Sequence, residues 1–193
     1  MSTDGGAGAW VGVMMDVVDP EAAHRDLVES LFQTSYGELV GLATVVTGDR
    51  QVGEDVAQDA FAGLLRRGPL ADPDAAVGYL RRAVVNQARG RIRRRAVADR
   101  PRPSPPGPAA APVEDAALAD DDARAVADAL ALLPVRQREC IAACTLLGLT
   151  HTEAARLLGV SAGAVKTHVH RGTRRLATLL ADRDPRPTGG DPS

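Results

Sequence analysis

Apolar residues recur every three or four positions through the first half of the chain, a period typical of amphipathic helices. The pattern predicts helices over 21–47, 50–67 and 72–98. Asp72 is the predicted cap of the third helix, and Pro73 occupies its first turn, where proline is tolerated. No stretch alternates apolar and polar residues as a strand does. The sequence therefore predicts an all-α fold.

A run of prolines and alanines separates these helices from the rest of the chain. Six of the residues from 101 to 112 are proline, which favours a semi-extended spacer. Beyond it the pattern predicts helices over 116–133 and 134–147, then two helices joined by a tight turn over 150–176. We therefore predict two small helical domains. The predicted segments are a disordered extension over 1–20, a first domain over 21–98, a linker over 99–115, a second domain over 116–180 and a disordered tail over 181–193.

Local signals over 150–176 define the last two predicted helices. Thr150 can cap the first of them, and Glu153 three residues later completes a capping box. Gly159 supplies the positive φ that the end of a helix usually needs, and Ser161 is a natural cap for the second helix. This layout is typical of a helix-turn-helix that binds DNA.

The second helix of this motif has an apolar face and a basic face. The predicted core stripe consists of Val165, Val169, Gly172 and Leu176. The opposite face carries Lys166, Thr167, His170, Arg171 and Arg174. From 156 to 175 the chain has five lysine and arginine residues and no acid, which suits a surface that binds phosphates and base edges. The alternative is a solvated basic helix in an ordinary bundle.

The formal net charge of −2 conceals separate acidic and basic segments. Residues 79–102 contain nine arginines and one aspartate, whereas residues 1–60 contain eleven acids and two arginines. The arginine-rich segment lies on the third predicted helix, where Leu80, Val84, Ala88 and Ile92 are expected to face the core. The arginines that project around the rest are Arg81, Arg82, Arg89, Arg91, Arg93, Arg94 and Arg95. Such an excess of one sign is expected to attract a phosphate backbone.

Other features narrow the class of function. No apolar run approaches the ~20 residues of a membrane helix, and the N-terminus lacks the basic region of a signal peptide. We therefore expect a cytoplasmic protein without membrane insertion. The sequence has no Gly-rich phosphate loop and no nucleophile–base pair in a supporting context, so we expect neither enzyme activity nor a cofactor. Met14 and Met15 are alternative start residues.

Cys140 and Cys144 lie four residues apart on a predicted helix. They are compatible with a redox pair, with half of a metal site that includes His151, or with two small buried residues. The sequence contains no C-x-x-C motif, and thiols stay reduced in the cytoplasm. We therefore favour buried thiols and predict no metal site.

Several ordered motifs resemble bacterial RNA polymerase sigma factors of the sigma-70 family. Those similar to region 2 are Phe32-x3-Tyr36-x2-Leu39-x2-Leu42-Ala43, Thr47-Gly48-Asp49, Glu54-Asp55-Val56-x-Gln58-Asp59-Ala60-Phe61 and Tyr79-Leu80-Arg81-Arg82-x3-Asn86. The block from Leu132 through Leu176 is similar to region 4. A chain with only these two regions and a short linker resembles the extracytoplasmic-function (ECF) group, and its many arginines resemble an actinobacterial branch. The resemblance covers about 24–98 and 118–180.

The resemblance implies a non-catalytic specificity subunit that binds core RNA polymerase and promoter DNA. Region 2 docks on the clamp helices of the largest subunit, here through Glu54, Asp55, Gln58 and Asp59. It also holds the melted −10 strand, here through Tyr79, Arg81, Arg82, Asn86 and Arg89. Region 4 binds the polymerase flap and contacts the −35 element, here through Lys166, Thr167, His168, His170, Arg171, Arg174, Arg175 and Arg156. An anti-sigma factor is a further partner that members of this family often have.

The chain departs from the family pattern at two positions on the third helix. Only Tyr79 is available to stack on a base, where many relatives have Trp or other aromatics, and Gly90 stands where many relatives have Asp. The alternative function is a helix-turn-helix transcriptional regulator that acts without being a polymerase subunit. The first half argues against it, because it lacks the alternating strands and helices of a response regulator. A simple repressor also needs no second arginine-rich helix.

Overall fold

The computed structural model describes residues 19–70, 72, 75–98 and 121–182, and within them the chain forms helices and no strand. The helices are α1 (Pro20–Thr47), α2 (Arg50–Arg67), α3 (Ala75–Ala98), α4 (Asp121–Ala131), α5 (Val135–Thr145), α6 (His151–Leu158) and α7 (Ala162–Ala181). We refer to α1–α3 as the N-terminal half and to α4–α7 as the C-terminal half. The predicted all-α fold is confirmed. In these described residues, no helix combines the length and the apolar character needed to cross a membrane.

Short-range hydrogen bonds set the ends of the first two helices. The Asp19 carboxylate accepts from the backbone N–H of Glu21 at 3.0 Å, and the Asp49 carboxylate accepts from that of Val52 at 3.1 Å. Gly48 ends α1 with a φ of +78°, in the left-handed region that glycine tolerates. The predicted break at 48–49 and the capping role of Asp49 are therefore confirmed.

Some predictions concern residues outside the described ranges. These are the N-terminal extension, the Pro-rich linker, the start of the helix predicted from 116, Pro73 and most of the tail. Where the structure describes the same segments, α4 ends at Ala131 and α5 spans Val135–Thr145, close to the predicted 134–147. The first turn of α3 is preceded by Asp72, whose carbonyl accepts from the N–H of Ala75 at 3.1 Å.

The N-terminal half packs mainly through Leu, Val and Ala side chains. Its most buried members include Leu39, Leu42, Val46, Val56, Leu64, Leu80, Val84 and Val85. Gly53 lets α1 and α2 approach closely, because a methyl group added there would lie 2.9 Å from the backbone nitrogen of Thr44. Three aromatic rings pack together near one edge: Phe32 stacks on Tyr36 at 4.5 Å between centroids and meets the ring of Phe61 edge-on at 5.1 Å.

The two halves pack against each other, which the sequence did not lead us to expect. α1 contacts α5, and α3 contacts α6. α5 is the central element of this interface, because every residue from 138 to 143 is buried. One buried apolar cluster extends from the N-terminal half into the C-terminal half. As a result, the arginine-rich helix α3 lies beside the first helix of the helix-turn-helix.

Candidate nucleic-acid interface

The helix-turn-helix in the C-terminal half forms as its sequence predicts. The Thr150 hydroxyl accepts from the backbone N–H of Glu153 at 3.3 Å, and the Glu153 carboxylate accepts from the backbone N–H of Thr150 at 2.8 Å. Hydrogen bonding to the Thr150 side chain lowers the pKa of Glu153. Gly159 has a φ of +69°, and the Ser161 hydroxyl accepts from the N–H of Ala164 at 3.1 Å. The capping box, the helix end and the second cap are confirmed.

α7 presents its basic face to solvent and its small residues to the core. Val165 and Gly172 are buried, and a methyl group added at Gly172 would lie 2.7 Å from the Cδ1 atom of Ile141 on α5. The −35 candidates that are exposed are Arg156, Lys166, Thr167, His170, Arg171, Arg174 and Arg175, while His168 is half-buried. Among the described residues, none of these side chains forms an ion pair with an acid. The face is therefore free to receive an anion.

The −10 candidates on α3 lie in more varied surroundings. Arg82 and Asn86 are exposed. Arg81 is half-buried, and its Nη2 atom lies 3.5 Å from the carboxylate of Glu38 on α1. Tyr79 is also half-buried, with the guanidinium of Arg67 5.4 Å from its ring centroid.

Arg89, the fifth −10 candidate, is engaged with the other half of the molecule. Its Nε and Nη2 atoms donate to the two carboxylate oxygens of Glu139 at 2.6 and 2.9 Å, and Nη2 also donates to the carbonyl of Leu158 at 3.2 Å. Glu139 has 1% of its side chain exposed and accepts a further bond from Arg136 at 3.1 Å. The hydrogen bonds to Glu139 raise the pKa of Arg89. The pair is a bidentate, charge-assisted contact, the strong class of side-chain hydrogen bond.

Glu139 was not among the site residues predicted from the sequence. Glu139 directly precedes the apolar residues 140–143 on a predicted helix. This position beside an apolar run was the one feature of the sequence that could have indicated a buried carboxylate. A carboxylate at a buried position implies a buried positive partner, but the sequence does not say which arginine supplies it.

The side chains of α2 that are candidates for binding core polymerase reach solvent, but several of them form ion pairs within the chain. Asp59 accepts from Arg91 of α3 at 3.0 Å, and Asp55 lies 3.9 Å from the same guanidinium. Glu54 accepts from Arg50 one turn earlier at 2.9 Å. The Gln58 amide lies 3.4 Å from the hydroxyl of Tyr36. Because Asp55 and Asp59 are exposed, these pairs can exchange with solvent or with a partner.

An apolar patch lies beside this acidic face. We define it by Val28, Phe32, Phe61 and Leu65, which line a shallow groove between α1 and α2. Phe32 is 44% exposed and Leu65 is 49% exposed. Exposed apolar side chains that cluster are common at surfaces where another molecule binds. Sequence periodicity did not separate these residues from the core.

The two cysteines are free thiols in the structure. Cys140 is buried and Cys144 is half-buried. Burial raises the pKa of Cys140 to about 11 and also raises that of Cys144, so both thiols stay protonated near neutral pH. In the described part of the chain, no three or more His, Cys, Asp and Glu side chains are grouped as metal ligands.

Two families match separate parts of the chain. Residues 31–97 match Sigma-70 region 2, and residues 123–176 match Sigma-70, region 4. The chain is 34% identical over 160 residues to the ECF RNA polymerase sigma factor SigM of Mycobacterium tuberculosis H37Rv, which covers 82% of this chain and 80% of that protein. It is 30% identical over 157 residues to the RNA polymerase sigma-E factor of Streptomyces antibioticus, with coverage of 81% and 86%.

Solved structures share the fold. CnrH, in complex with the cytosolic domain of CnrY, superposes with a TM-score of 0.61 at 23% identity, covering 86% of this chain and 94% of CnrH. The sigma factor RpoE of Bartonella quintana, in complex with the anti-sigma factor NepR, gives a TM-score of 0.56 at 24% identity, covering 81% and 97%. At these identities the likeness concerns the fold alone. With both sigma regions in order and SigM similar over most of its length, the chain belongs to the ECF group of the sigma-70 family of bacterial RNA polymerase sigma factors.

Proposed function

We propose that this chain is a dissociable specificity subunit, which binds core RNA polymerase and directs it to promoters with separate −35 and −10 elements. The ordered pair of sigma regions carries the proposal, together with a 34% identical relative covered over 80% of its length. Two basic helices in different halves of the molecule suit two separate DNA elements. The protein acts in the cytoplasm and has no catalytic role of its own.

Contact with the −35 element is assigned to α7. Lys166, Thr167 and His170 are exposed near the start of the helix, the part of a recognition helix that contacts base edges in the major groove. The other contacts in this assignment come from His168 and Arg171 near the bases and from Arg156, Arg174 and Arg175 on phosphates. Exposed arginines without acidic partners favour this assignment, because phosphate contacts supply much of the affinity for DNA.

Contact with the melted −10 strand is assigned to α3. The Asn86 amide is exposed and can both donate to and accept from the edge of an unstacked base. Tyr79 supplies an aromatic ring for stacking, and Arg82 supplies a free guanidinium for the backbone. In this assignment Arg81 and Arg89 also hold the backbone, which requires each to leave its present carboxylate partner.

Docking on the clamp helices of the polymerase is assigned to the acidic face of α2. Glu54, Asp55, Gln58 and Asp59 share that face. Charged side chains of this kind steer and orient an encounter, whereas apolar side chains supply most of the affinity. The adjoining apolar patch supports the assignment, because it places Phe32 and Leu65 at the edge of the same surface. Region 4 docks on the polymerase flap in the same proposal.

A regulatory partner protein also belongs to the proposal. RpoE of Bartonella quintana was solved with an anti-sigma factor. We propose that an anti-sigma factor binds the present chain as well and competes with core polymerase. Affinity purification from the native cell, with and without excess core, tests this partner.

Run-off transcription tests the function directly. Purified chain is added to core polymerase and genomic promoter fragments, which are chosen by mapping transcript starts after overexpression. We expect initiation from specific sites with both proteins and none with core alone. A helix-turn-helix regulator would instead bind its site tightly without polymerase and give no initiation, and that outcome would contradict the proposal.

A further inference from the structure

The apolar patch of the N-terminal half is open to solvent beside α1 and α2. Phe32 is 44% exposed and Leu65 is 49% exposed. An aromatic side chain carries about 150–250 Å² of surface, so these two residues together expose on the order of 200 Å². A stable interface between two copies needs about 800 Å² per partner. The patch therefore fits a short apolar segment better than a second copy of the chain.

The sequence before α1 supplies such a segment. Residues 10–18 read Trp10-Val-Gly-Val-Met-Met-Asp-Val-Val18, with seven apolar side chains and one charge. The composition typical of disorder is confined to residues 2–9, whose side chains are all small or polar. A stretch as apolar as 10–18 gains free energy when it is removed from water, so it favours contact with an apolar surface.

The segment is attached where it can reach the patch. The chain enters α1 through Asp19, and Val28 and Phe32 lie eight and twelve residues beyond Pro20, about 12 and 18 Å along the helix. Nine residues of extended chain span up to about 30 Å, so residues 10–18 reach the whole patch by folding back along α1. Because the segment is tethered to the same helix, its effective concentration at the patch is on the order of millimolar.

A buried histidine near the start of α1 also indicates a neighbouring segment. His24 lies one turn before Val28, and its Nε2 atom donates to the carbonyl oxygen of Leu64 on α2 at 3.2 Å. Its Nδ1 atom is then an acceptor, and among the described residues it has no hydrogen-bond partner. Buried polar atoms are usually paired. A backbone N–H of a segment that folds back along α1 is a donor of the required kind.

We propose that residues 10–18 fold back onto the apolar patch and cover Phe32 and Leu65 in the free chain. The patch adjoins the acidic face of α2, so this segment and core polymerase compete for one surface. The competition with core rests on the proposed function, whereas the docking of residues 10–18 does not.

Trp10 reports on this docking without any label, because it is the one tryptophan of the chain. Acrylamide quenching of its fluorescence in the full-length chain measures how accessible the ring is to solvent. We expect Trp10 to be protected in the parent chain. Leu65→Gln places a polar group in the patch and is expected to raise the quenching constant about threefold or more. The matched control is Leu132→Gln, the same change at a 61% exposed position of the C-terminal half, which is expected to leave the quenching unchanged.

Two further measurements keep this test decisive. Phe32→Ala removes the ring from the patch without adding a polar group and is expected to expose Trp10 as Leu65→Gln does. Dilution of the parent chain about a hundredfold is expected to leave Trp10 protected, because the docking is intramolecular. The proposal would be overturned by a Trp10 as accessible in the parent as in the urea-unfolded chain, or by unchanged quenching in both patch variants. Protection that is lost on dilution would overturn it as well, since the occupant would then be a second copy.

Binding to core polymerase provides the second readout. Trp10→Ser with Val11→Ser removes apolar side chains from the segment and leaves the patch intact. This double variant is expected to bind core about fivefold tighter, because the apparent affinity rises with the fraction of chains whose patch is open. The control is Ala7→Ser with Ala9→Ser, which alters the preceding residues and is expected to change nothing. Equal affinities of the Trp10 double variant and the parent chain would overturn the competition. Failure of run-off transcription while Trp10 responds as expected would count against the proposed function instead.

Discussion

The helices α3 and α7 are both rich in arginine, but their side chains have different surroundings. On α7, Arg171 and Arg174 are exposed, and no acid in the described residues pairs with them. On α3 three arginines have carboxylate partners: Arg81 with Glu38, Arg89 with Glu139 and Arg91 with Asp59. The two helices thus carry similar charge in the sequence. In the described part of the folded chain, however, three arginines of α3 are paired with carboxylates, whereas Arg171 and Arg174 of α7 are not.

This difference indicates the order in which the two helices can act. α7 can receive a phosphate backbone without any rearrangement, because its charges face only solvent. Under the proposed function, Arg81 and Arg89 of α3 must first exchange their carboxylate partners for DNA. We therefore expect the affinity of the free chain for the −35 element to depend mainly on how many contacts α7 makes with the DNA. We expect contact with the −10 strand to be limited in addition by the ion pairs of Arg81 and Arg89.

The largest effect is expected from removing charge on α7. Arg171→Ala combined with Arg174→Ala is expected to lower the affinity of the holoenzyme for promoter DNA by about a hundredfold, because the proposed function assigns both side chains to direct contacts with DNA. Filter binding over a range of salt concentrations measures this loss, and the salt slope should fall by about 1, since Arg174 is the member of the pair assigned to a phosphate. The matched control, Arg93→Ala with Arg94→Ala, removes the same charge from the exposed end of α3. Equal losses of affinity in the two double variants would contradict the expectation that the exposed arginines of α7 contribute more to DNA binding than those at the end of α3.

The next largest effect is expected at two glycines where helices pack closely, Gly53 in the N-terminal half and Gly172 in the C-terminal half. Gly53→Ala is expected to lower the free energy of unfolding by about 2–3 kcal/mol, since the added methyl group meets rigid backbone of α1. Gly172→Ala meets the flexible end of Ile141 and is expected to cost less than about 1 kcal/mol. Urea unfolding measures both. Gly78→Ala, which meets nothing within 4 Å, is the control and should be neutral or stabilising.

Charge reversal on α2 tests the core-docking face. Asp55→Lys with Asp59→Lys is expected to weaken binding to core about tenfold, because the new charges repel the basic side chains expected on the partner. Competition between labelled and unlabelled chain for core measures the loss. Asp26→Lys, an exposed reversal on α1, is the control. Undiminished core binding would exclude this face, and altered contacts of α7 with −35 DNA would show that the effect is not local.

The smallest effect is expected at the cap of α6. Thr150→Ala is expected to lower the free energy of unfolding by about 1 kcal/mol through loss of the N-cap bond. Because Thr150 lowers the pKa of Glu153, the contribution of that carboxylate is present at neutral pH and is lost as pH falls through its folded-state pKa. The difference between the parent chain and Thr150→Ala should therefore shrink in acid, as thermal unfolding across pH can show. A difference that is constant with pH would mean that Glu153 plays no part in the cap.

Residues near each other in the chain account for the successful predictions. The caps at Asp49, Thr150 and Ser161 each act on a backbone N–H three residues away, so their motifs are readable in the sequence. The core stripe of α7 follows the helical period, and Val165 and Gly172 are buried as predicted. By contrast, the apolar patch at Phe32 and Leu65 escaped prediction, because periodicity does not tell a core face from an exposed apolar one.

The sequence by itself determined the helices, their caps, the two arginine-rich faces and the family, because each depends on short-range spacing or on ordered motifs. Only the tertiary structure decided which of those charges are available. The partners of Arg91, Arg81 and Arg89 lie 32, 43 and 50 residues away along the chain. Coulomb attraction and desolvation depend on distance in space and on burial. Neither is fixed until α3 packs against α1 and α2, and α5 and α6 pack against α1 and α3.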